Sequence, residues 1–219
     1  MKKVAVVLSG CGVYDGAEIH ESVLTLLALD RRDAEVTILA PDIPQMHVVN
    51  HLSGQPEESQ RNVLVESARI ARGEIRALAS AEAAEFDAAV FPGGFGVAKN
   101  LCDFAIQGAE CDVHPQVEHF VQAMLAAGKA LGFICIAPAL MARMAGKLNL
   151  RPRLTIGTDT ETAAAIDKMG GLHVATQVKE VVVDEKLRIV STPAYMLGQR
   201  IAEVADGIDN LVAELLRLA

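Results

Sequence analysis

Residues 129–140 read KALGFICIAPAL and decide the fold of the chain. An apolar run that ends at Cys135 predicts a buried strand, and Pro138 marks the beginning of a helix. A strand that turns sharply into a helix places the turn residue at the carboxyl edge of a sheet, beside free backbone N–H groups and the positive helix end. Such surroundings favour a thiolate over a thiol whose unperturbed pKa is ~8.5. The stretch therefore predicts a nucleophile elbow, with Cys135 as a nucleophile of lowered pKa.

The elbow departs from the usual pattern in one respect. A nucleophile elbow commonly has glycine two residues before and two residues after the nucleophile, because the turn is crowded. Here those positions hold Phe133 and Ala137. Alanine is small enough, but Phe133 is not, so we expect the crowding to be relieved elsewhere. The alternative is a buried cysteine with a structural role only.

Around the elbow, β-type and helix-type patterns alternate along the whole chain. Strands are predicted at residues 4–8, 35–40, 87–91, 129–134, 180–184 and 187–191, with short extended pieces at 45–50 and 154–156. Helices are predicted at residues 18–29, 63–72, 114–127, 160–169 and 197–218. This order predicts an α/β fold with a mostly parallel sheet covered on both sides, formed as a single domain over residues 1–219. Residues 102–114 are irregular and are interpreted as an inserted flap.

Two helices carry an apolar face in the sequence. In the last helix, the apolar residues recur every three or four positions, which predicts one buried face. These are Ile201, Val204, Ile208, Leu211 and Leu215. In the first helix, Ile19, Val23, Leu26 and Leu27 fall on one face, which we expect to be the buried one.

Composition excludes several classes of function. The chain has 20 basic and 28 acidic residues and a net charge of −8, which argues against nucleic acid and anionic membranes as partners. The four cysteines show no metal-ligand spacing, so we expect neither a zinc site nor another metal or cofactor. Dispersed cysteines suit a reducing cytoplasm. The opening MKKVAVVLSGC resembles a lipoprotein signal, but its apolar run is shorter than the ~7–15 residues of a signal peptide, so we interpret it as a first strand.

Two loops at the carboxyl edge of the sheet can assist a thiol. Residues 92–96 read PGGFG after a predicted strand, and the N–H groups of Gly93 and Gly94 can join that of Ile136 in an oxyanion hole. Preorganised donors of this kind contribute ~3–4 kcal/mol. The first loop, GCGVYDG, has Asp15 where a dinucleotide fingerprint needs its third glycine, which disfavours nucleotide binding.

Acidic residues at the start of the first helix are the candidates for proton transfer. Glu18 and Glu21 share a helix face, and a carboxyl group near a thiol in an apolar pocket has a raised pKa. One of the two, Glu18 or Glu21, can point inward as the catalytic acid while the other is solvated, and the further candidate pocket residues are His20, Cys11 and Tyr195. Cys11 would serve as a resolving thiol, and Tyr195 would line the pocket.

Long segments of the chain resemble the ElbB family, also called sigma cross-reacting proteins. The segments are MKKVAVVLSGCGVYDGAEIHESVLTLLALDR, FPGGFGVAKNL, LGFICIAPAL, LTIGTDTETA and STPAYML. The family lies in the class I glutamine amidotransferase-like superfamily, on the PfpI protease and deglycase branch. The resemblance implies a flavodoxin-like three-layer sandwich, a Cys135 elbow and an acidic partner at Glu21 rather than Glu18. It also implies a cofactor-free glyoxalase activity that turns glyoxal into glycolate, a link to isoprenoid production, and compatibility with a homodimer.

One departure from the superfamily pattern leaves alternatives open. Many superfamily members have a histidine soon after the elbow strand, whereas the corresponding stretch here, LTIGTD, has Gly157 near that position. Amidotransferase and protease chemistry need a base for the leaving amine, so both are disfavoured. The hypotheses are therefore a glyoxalase acting on small aldehydes, a redox or electrophile sensor or chaperone-like protein using the same thiol, and a partner-dependent amidotransferase-like subunit.

Overall fold

The computed structural model describes all residues, 1–219, and contains eleven strands and seven helices. The strands are β1 (Lys3–Val7), β2 (Glu35–Ala40), β3 (Val48–Val49), β4 (Pro56–Glu57), β5 (Arg76–Ala77), β6 (Ala88–Phe91), β7 (Ala130–Ile134), β8 (Arg153–Leu154), β9 (Leu172–His173), β10 (Val182–Asp184) and β11 (Ile189–Thr192). The helices are α1 (Ile19–Asp30), α2 (Val63–Ile70), α3 (Phe104–Gln107), α4 (Pro115–Ala126), α5 (Ala137–Leu148), α6 (Thr160–Met169) and α7 (Ile201–Leu218).

A seven-stranded sheet runs through the middle of the molecule in the order β10-β11-β7-β6-β1-β2-β5. All neighbouring pairs are parallel except β10 and β11, which form the predicted hairpin. The predicted mostly parallel α/β fold is thus confirmed. Parallel order brings the carboxyl ends of β1, β6 and β7 to one edge, side by side, and the elbow begins at the end of β7.

Helices cover both faces of this sheet. Along β1, Val4 and Val6 face the layer that contains α1 and α7, whereas Ala5 and Val7 face the layer that contains α4 and α5. This alternation follows from the two-residue period of a strand, and both sets are fully buried. The result is the flavodoxin-like three-layer sandwich that the family resemblance implied.

The amphipathic pattern of α7 is confirmed at four of its five positions. Val204, Ile208, Leu211 and Leu215 are fully buried, whereas Ile201 is exposed at the start of the helix. The helix begins at Ile201 rather than at residue 197, because a 3₁₀ turn at Ala194–Met196 precedes it.

The predicted buried face of α1 is wrong at three of its four apolar residues, and only Leu26 packs against the core. Ile19, Val23 and Leu27 are 43%, 47% and 40% exposed, and the residues that face inward are instead Glu21, Ser22, Thr25, Ala28 and Leu29. The buried hydroxyls are satisfied within the helix, since Ser22 and Thr25 donate to the carbonyls four residues earlier at 2.7 Å. The face of α1 that is buried is therefore the one that carries Glu21 to the sheet edge, and not the one with most apolar residues.

Other predicted pieces are partly correct. The piece at 154–156 is shorter, because Arg153–Leu154 pairs with β9 in a small separate sheet. The piece at 45–50 contains only Val48–Val49. In the flap, an antiparallel bridge between Cys102 and Val113 closes a loop that carries α3. No helix has the length and apolar character that crossing a bilayer requires.

Candidate active site

The turn between β7 and α5 has the backbone geometry of a nucleophile elbow. Cys135 has φ = 62°, in the left-handed region that non-glycine residues rarely adopt. Its N–H donates to the carbonyl of Thr192 at 3.0 Å, which ties the turn to the end of β11. Strain of ~1–3 kcal/mol at such a residue persists only where the surrounding structure holds it. The predicted elbow is present.

Crowding at the elbow is relieved by a glycine in the neighbouring loop. Phe133 points away from the turn into the core, where its ring stacks on Phe91 with the centroids 5.1 Å apart. The close approach is made instead by Gly93, where an added Cβ would lie 2.4 Å from the Cys135 Cβ and 2.6 Å from Glu21 Oε2. The absence of a glycine two residues before the nucleophile is therefore compensated at Gly93.

Glu21 is completely buried beside the Cys135 sulfur. Its Oε2 accepts from the Gly93 N–H at 2.9 Å, and its Oε1 accepts from the Tyr195 N–H at 3.2 Å. Two effects raise the Glu21 pKa from 4.5 to about 8. Burial is the larger effect, and the nearby Glu18 carboxylate is the second. These hydrogen bonds oppose the rise but do not cancel it, so the carboxyl is mostly protonated at neutral pH. The predicted upward shift is confirmed.

The Cys135 thiol does not have the lowered pKa that the elbow predicts. Burial raises its pKa well above the ordinary value, and the Glu21 charge raises it further. The N–H groups of Gly94 and Ile136 donate toward the sulfur and oppose this shift. The prediction was wrong because Cys135 is only 9% exposed and its sulfur lies among apolar residues, where desolvation outweighs the amide dipoles.

The expected oxyanion donors also need one correction. The Gly94 and Ile136 amides point at the Cys135 sulfur, and the Gly93 N–H, which was expected to join them in an oxyanion hole, is already donated to Glu21. Gly93 therefore holds the acid rather than an oxyanion. Its carbonyl has a similar structural role, because it accepts from the Glu18 N–H at 2.9 Å.

A cavity of about 350 Å³ opens over Cys135, and we call it the Cys135 cavity. Most of its lining is apolar. The lining residues are Val13, Glu18, Gly94, Phe95, Ala98, Phe104, Ala105, Cys135, Ile136, Thr162, Tyr195 and Met196. The loop after β6, the flap and the turn before α7 each contribute side chains to it.

Of the four candidate pocket residues, Glu18 and Tyr195 line the cavity. His20 lies behind Tyr195, with its Nδ1 2.8 Å from the Tyr195 hydroxyl. Cys11 does not line the cavity, and it lies among charged side chains that include Glu66, where burial raises its pKa. The glycine-rich loop after β1 directs Cys11 toward α2 and not toward the elbow. The predicted role of Cys11 as a resolving thiol for Cys135 is therefore not supported.

Sequence reasoning missed the apolar walls of the cavity. Phe95 could have been identified from the sequence, because it lies in the PGGFG loop and a large apolar residue in a loop at the sheet edge faces either solvent or a ligand. Phe104 and Met196 had no such signal, since only the folding of the flap and of the turn before α7 brings them to Cys135. At Gly157, near the position where the family resemblance led us to look for a histidine, an added Cβ would lie 2.6 Å from Leu197 Cγ. No histidine lines the cavity.

Known proteins similar to this chain place it in a family. A human protein, glutamine amidotransferase-like class 1 domain-containing protein 3, mitochondrial, is 48% identical over 226 aligned residues, covering 99% of this chain and 83% of the human protein. This chain belongs to the glutamine amidotransferase-like class 1 domain family. A rat ES1 protein homolog, also named mitochondrial, is 46% identical over 99% of the chain and 84% of its own length. No family model matches the chain.

Solved structures agree with this family. An isoprenoid biosynthesis protein with an amidotransferase-like domain from Ehrlichia chaffeensis is 36% identical, with a TM-score of 0.93 over 100% of this chain and 99% of that one. A DJ-1 superfamily protein from Salmonella typhimurium is 28% identical, with a TM-score of 0.56 over 99% of this chain and 91% of that one. The chain is thus an amidotransferase-like protein that is also similar in fold to a DJ-1 superfamily protein.

Proposed function

We propose that this protein is an ElbB-type, cofactor-independent glyoxalase that converts glyoxal and related 2-oxoaldehydes into 2-hydroxy acids. The observation that carries the proposal is the contact between two buried groups, the Glu21 carboxyl and the Cys135 sulfur, at the base of the Cys135 cavity. A thiol can add to an aldehyde, and an adjacent carboxyl group of near-neutral pKa can move protons in both directions.

At low pH Glu21 and Cys135 are both protonated. The first step requires that this pair has lost one of its two protons. When the pair has lost one proton, the remaining proton can lie on either Glu21 or Cys135. With the proton on Glu21, the sulfur is a thiolate held by the Gly94 and Ile136 amides. The thiolate adds to one carbonyl carbon, and the new alkoxide takes the proton from Glu21. The product is a hemithioacetal beside an ionised Glu21.

The second step moves a proton between two carbons. The Glu21 carboxylate removes the hydrogen from the carbon bound to sulfur, which gives an enediol, and returns a proton to the second carbon. This leaves a glycolyl thioester on Cys135. Water hydrolyses the thioester, releases glycolate and restores the thiol. Glyoxal and one water give glycolate, so no external oxidant or reductant is consumed.

Two alternatives share the same thiol. A redox or electrophile sensor, or a chaperone-like protein, would use Cys135 without turnover, and mild peroxide would then produce sulfinic acid selectively at this residue. A partner-dependent amidotransferase-like subunit would act on glutamine only with its partner present. The lack of a histidine in the cavity favours the aldehyde reaction over the last alternative, because amide chemistry needs a base for the leaving amine.

The direct test incubates the wild type and a Cys135→Ala variant with glyoxal, methylglyoxal and glutamine, and assays glycolate, lactate and ammonia. The matched control is Cys11→Ala, which removes a thiol that does not line the cavity. We expect glycolate and lactate from the wild type and the control, and none from Cys135→Ala. Full glyoxal turnover by Cys135→Ala would overturn the proposal, as would ammonia release alone.

Solvent deuterium tests the role of Glu21. If Glu21 carries the proton between the carbons and exchanges it with solvent before returning it, glycolate formed in D₂O contains deuterium from solvent at its second carbon. If hydrogen instead moves directly between the carbons, the glycolate formed in D₂O stays free of carbon-bound deuterium. Mass spectrometry of the product separates the two outcomes.

The cellular location of the protein and its oligomeric state are also proposals. The four cysteines are all free, which suits the cytoplasm, although the human and rat relatives are named mitochondrial. A homodimer would cover the exposed stripe of Ile19, Val23 and Leu27 on α1. Subcellular fractionation and light scattering test these two proposals.

A further inference from the structure

The Cys135 cavity is larger than glyoxal requires. Its volume of about 350 Å³ has room for about twelve water-sized groups at ~30 Å³ each. Glyoxal has four heavy atoms, so when its carbonyl carbon reaches the sulfur, about two thirds of this space stays unfilled by substrate. Cavities of this size usually enclose most of a larger ligand.

The unfilled part of the cavity has apolar walls. Phe95 and Ala98 come from the loop and the π-helical turn after β6, Phe104 and Ala105 come from the flap, and Met196 comes from the turn before α7. Each methylene group that leaves water for walls of this kind strengthens binding about fourfold. A substrate with a longer apolar substituent would therefore gain affinity that glyoxal cannot.

The charges around the cavity disfavour anions. Glu18 is the one formally charged side chain in the lining, and no Lys, Arg or His belongs to it. Lys99, which follows Ala98, donates from Nζ to the Tyr14 carbonyl at 2.8 Å and lies over the Phe95 ring. A carboxylate or phosphate in the cavity would lose its water beside a like charge, without a cation to replace it.

We propose that Cys135 receives uncharged electrophiles with an apolar substituent, and that the preferred substrates are 2-oxoaldehydes with an alkyl or aryl group of about five to seven heavy atoms beyond the dicarbonyl. The aldehyde class rests on the proposed function, whereas the preference for neutral, apolar substituents rests on the cavity alone. Phe95, Phe104 and Ala105 are then determinants of specificity, and glyoxal is a poor substrate of a site shaped for longer molecules.

A pair of isosteric aldehydes tests the preference by turnover. In 5-methyl-2-oxohexanal an isopropyl group occupies the place of the carboxylate of 4,5-dioxopentanoate, and the two molecules are otherwise alike. We expect the kcat/KM of the neutral compound to exceed that of glyoxal by about a hundredfold, from several methylene groups at about fourfold each, and that of the anion by at least as much. Equal values for the pair, or faster turnover of the anion, would overturn the inference.

A variant in the flap tests where the preference arises. Ala105 is exposed on α3 and lines the cavity, so Ala105→Phe narrows the cavity with little risk to folding. The matched control is Ile106→Phe, at the next position on the same short helix but outside the lining. We expect Ala105→Phe to reduce the ratio of branched aldehyde to glyoxal turnover at least about tenfold, and Ile106→Phe to leave the ratio unchanged. An equal ratio in both variants would contradict the assignment of the flap.

A measurement without turnover separates this inference from the proposed function. N-alkylmaleimides of increasing chain length, together with iodoacetamide and iodoacetate, are reacted with the protein, and peptide mass spectrometry gives the rate at Cys135 relative to Cys11. We expect the relative rate to rise with chain length and to be lower for iodoacetate than for iodoacetamide. If no aldehyde is turned over but these trends hold, the proposed function fails and the cavity preference stands. Flat rates along both series would overturn the preference even in a protein that turns over glyoxal.

Discussion

The effect of the Glu21→Gln substitution on the free energy of unfolding should change sign between pH 5 and pH 8. The folded protein raises the Glu21 pKa from 4.5 to about 8. A carboxyl group with a raised folded pKa stabilises the fold most at pH values below its unfolded pKa, and this contribution is lost as the pH rises through the folded pKa. Glu21→Gln has no such titration, so its stability relative to the wild type should rise over the same range.

The size of the effect follows from the shift. One pKa unit corresponds to ~1.36 kcal/mol, so the wild type should lose about 3.5 kcal/mol relative to Glu21→Gln between pH 5 and pH 8. Glutamine has one acceptor oxygen where the carboxyl has two, which leaves either the Gly93 or the Tyr195 N–H facing an amide N–H. An unpaired buried donor costs about 1–3 kcal/mol at every pH. The variant should therefore be the less stable protein at pH 5 and the more stable one at pH 8.

Urea denaturation followed by circular dichroism at several pH values measures this difference, since the chain has no Trp for fluorescence. The matched control is Asp30→Asn, which removes an exposed carboxylate at the far end of the same helix. Its stability should stay parallel to that of the wild type from pH 5 to pH 8, because Asp30 is exposed and lies at the opposite end of α1 from Glu21. A difference between Glu21→Gln and the wild type that stays constant within about 1 kcal/mol from pH 5 to 8 would refute the shifted pKa.

Gly93→Ala should lower stability by about 3 kcal/mol or more, through overlap with Cys135 and Glu21. The control Gly128→Ala places its Cβ in open space, so it should cost only the ~1–2 kcal/mol of an alanine at φ = 65°. Equal melting temperatures would show that the loop at Gly93 can move aside. Tyr195→Phe should change glyoxal turnover less than about threefold and stability by less than about 1 kcal/mol. The substitution removes only the hydroxyl contact to His20, because the hydrogen bond to Glu21 comes from the backbone N–H of residue 195. A large loss of kcat would give the hydroxyl a role in the chemistry. Val23→Lys should convert a dimer into a monomer by light scattering if α1 is the interface, and a wild type that is already monomeric would end the dimer proposal.

The sequence predicted those parts of the site that are set by local chain geometry. The elbow at Cys135 follows from a strand that runs directly into a helix, and the meeting of the PGGFG loop with the elbow follows from parallel strand order. Glu21 was a candidate because it lies in the first turn of a helix that begins at the same edge. In each case the decisive information lies within a few residues, or in the order of strands.

The features that could not be predicted depend on distant parts of the chain. The Cys135 pKa was predicted in the wrong direction, because the helix dipole is local but burial depends on the flap and on the turn before α7. The inward face of α1 was predicted wrongly for a related reason. Apolar periodicity assigns Ile19, Val23 and Leu27 to the core, whereas the protein buries the polar residues that carry Glu21 to the sulfur. Where a site and a hydrophobic pattern compete for one helix face, the pattern alone does not identify the buried side.

The most direct test of the account is the pH dependence of Cys135 alkylation in the wild type and in Glu21→Gln. Iodoacetamide is used at several pH values, and peptide mass spectrometry follows the modified cysteine. If Glu21 and Cys135 share a proton, the wild-type rate should rise through a transition near the Glu21 pKa of about 8. In Glu21→Gln that transition should disappear, and the rate should keep rising with pH above 8, because the carboxylate charge that opposes ionisation of the thiol is gone. Superimposable profiles for the two proteins would contradict the claim that these buried groups act as one unit.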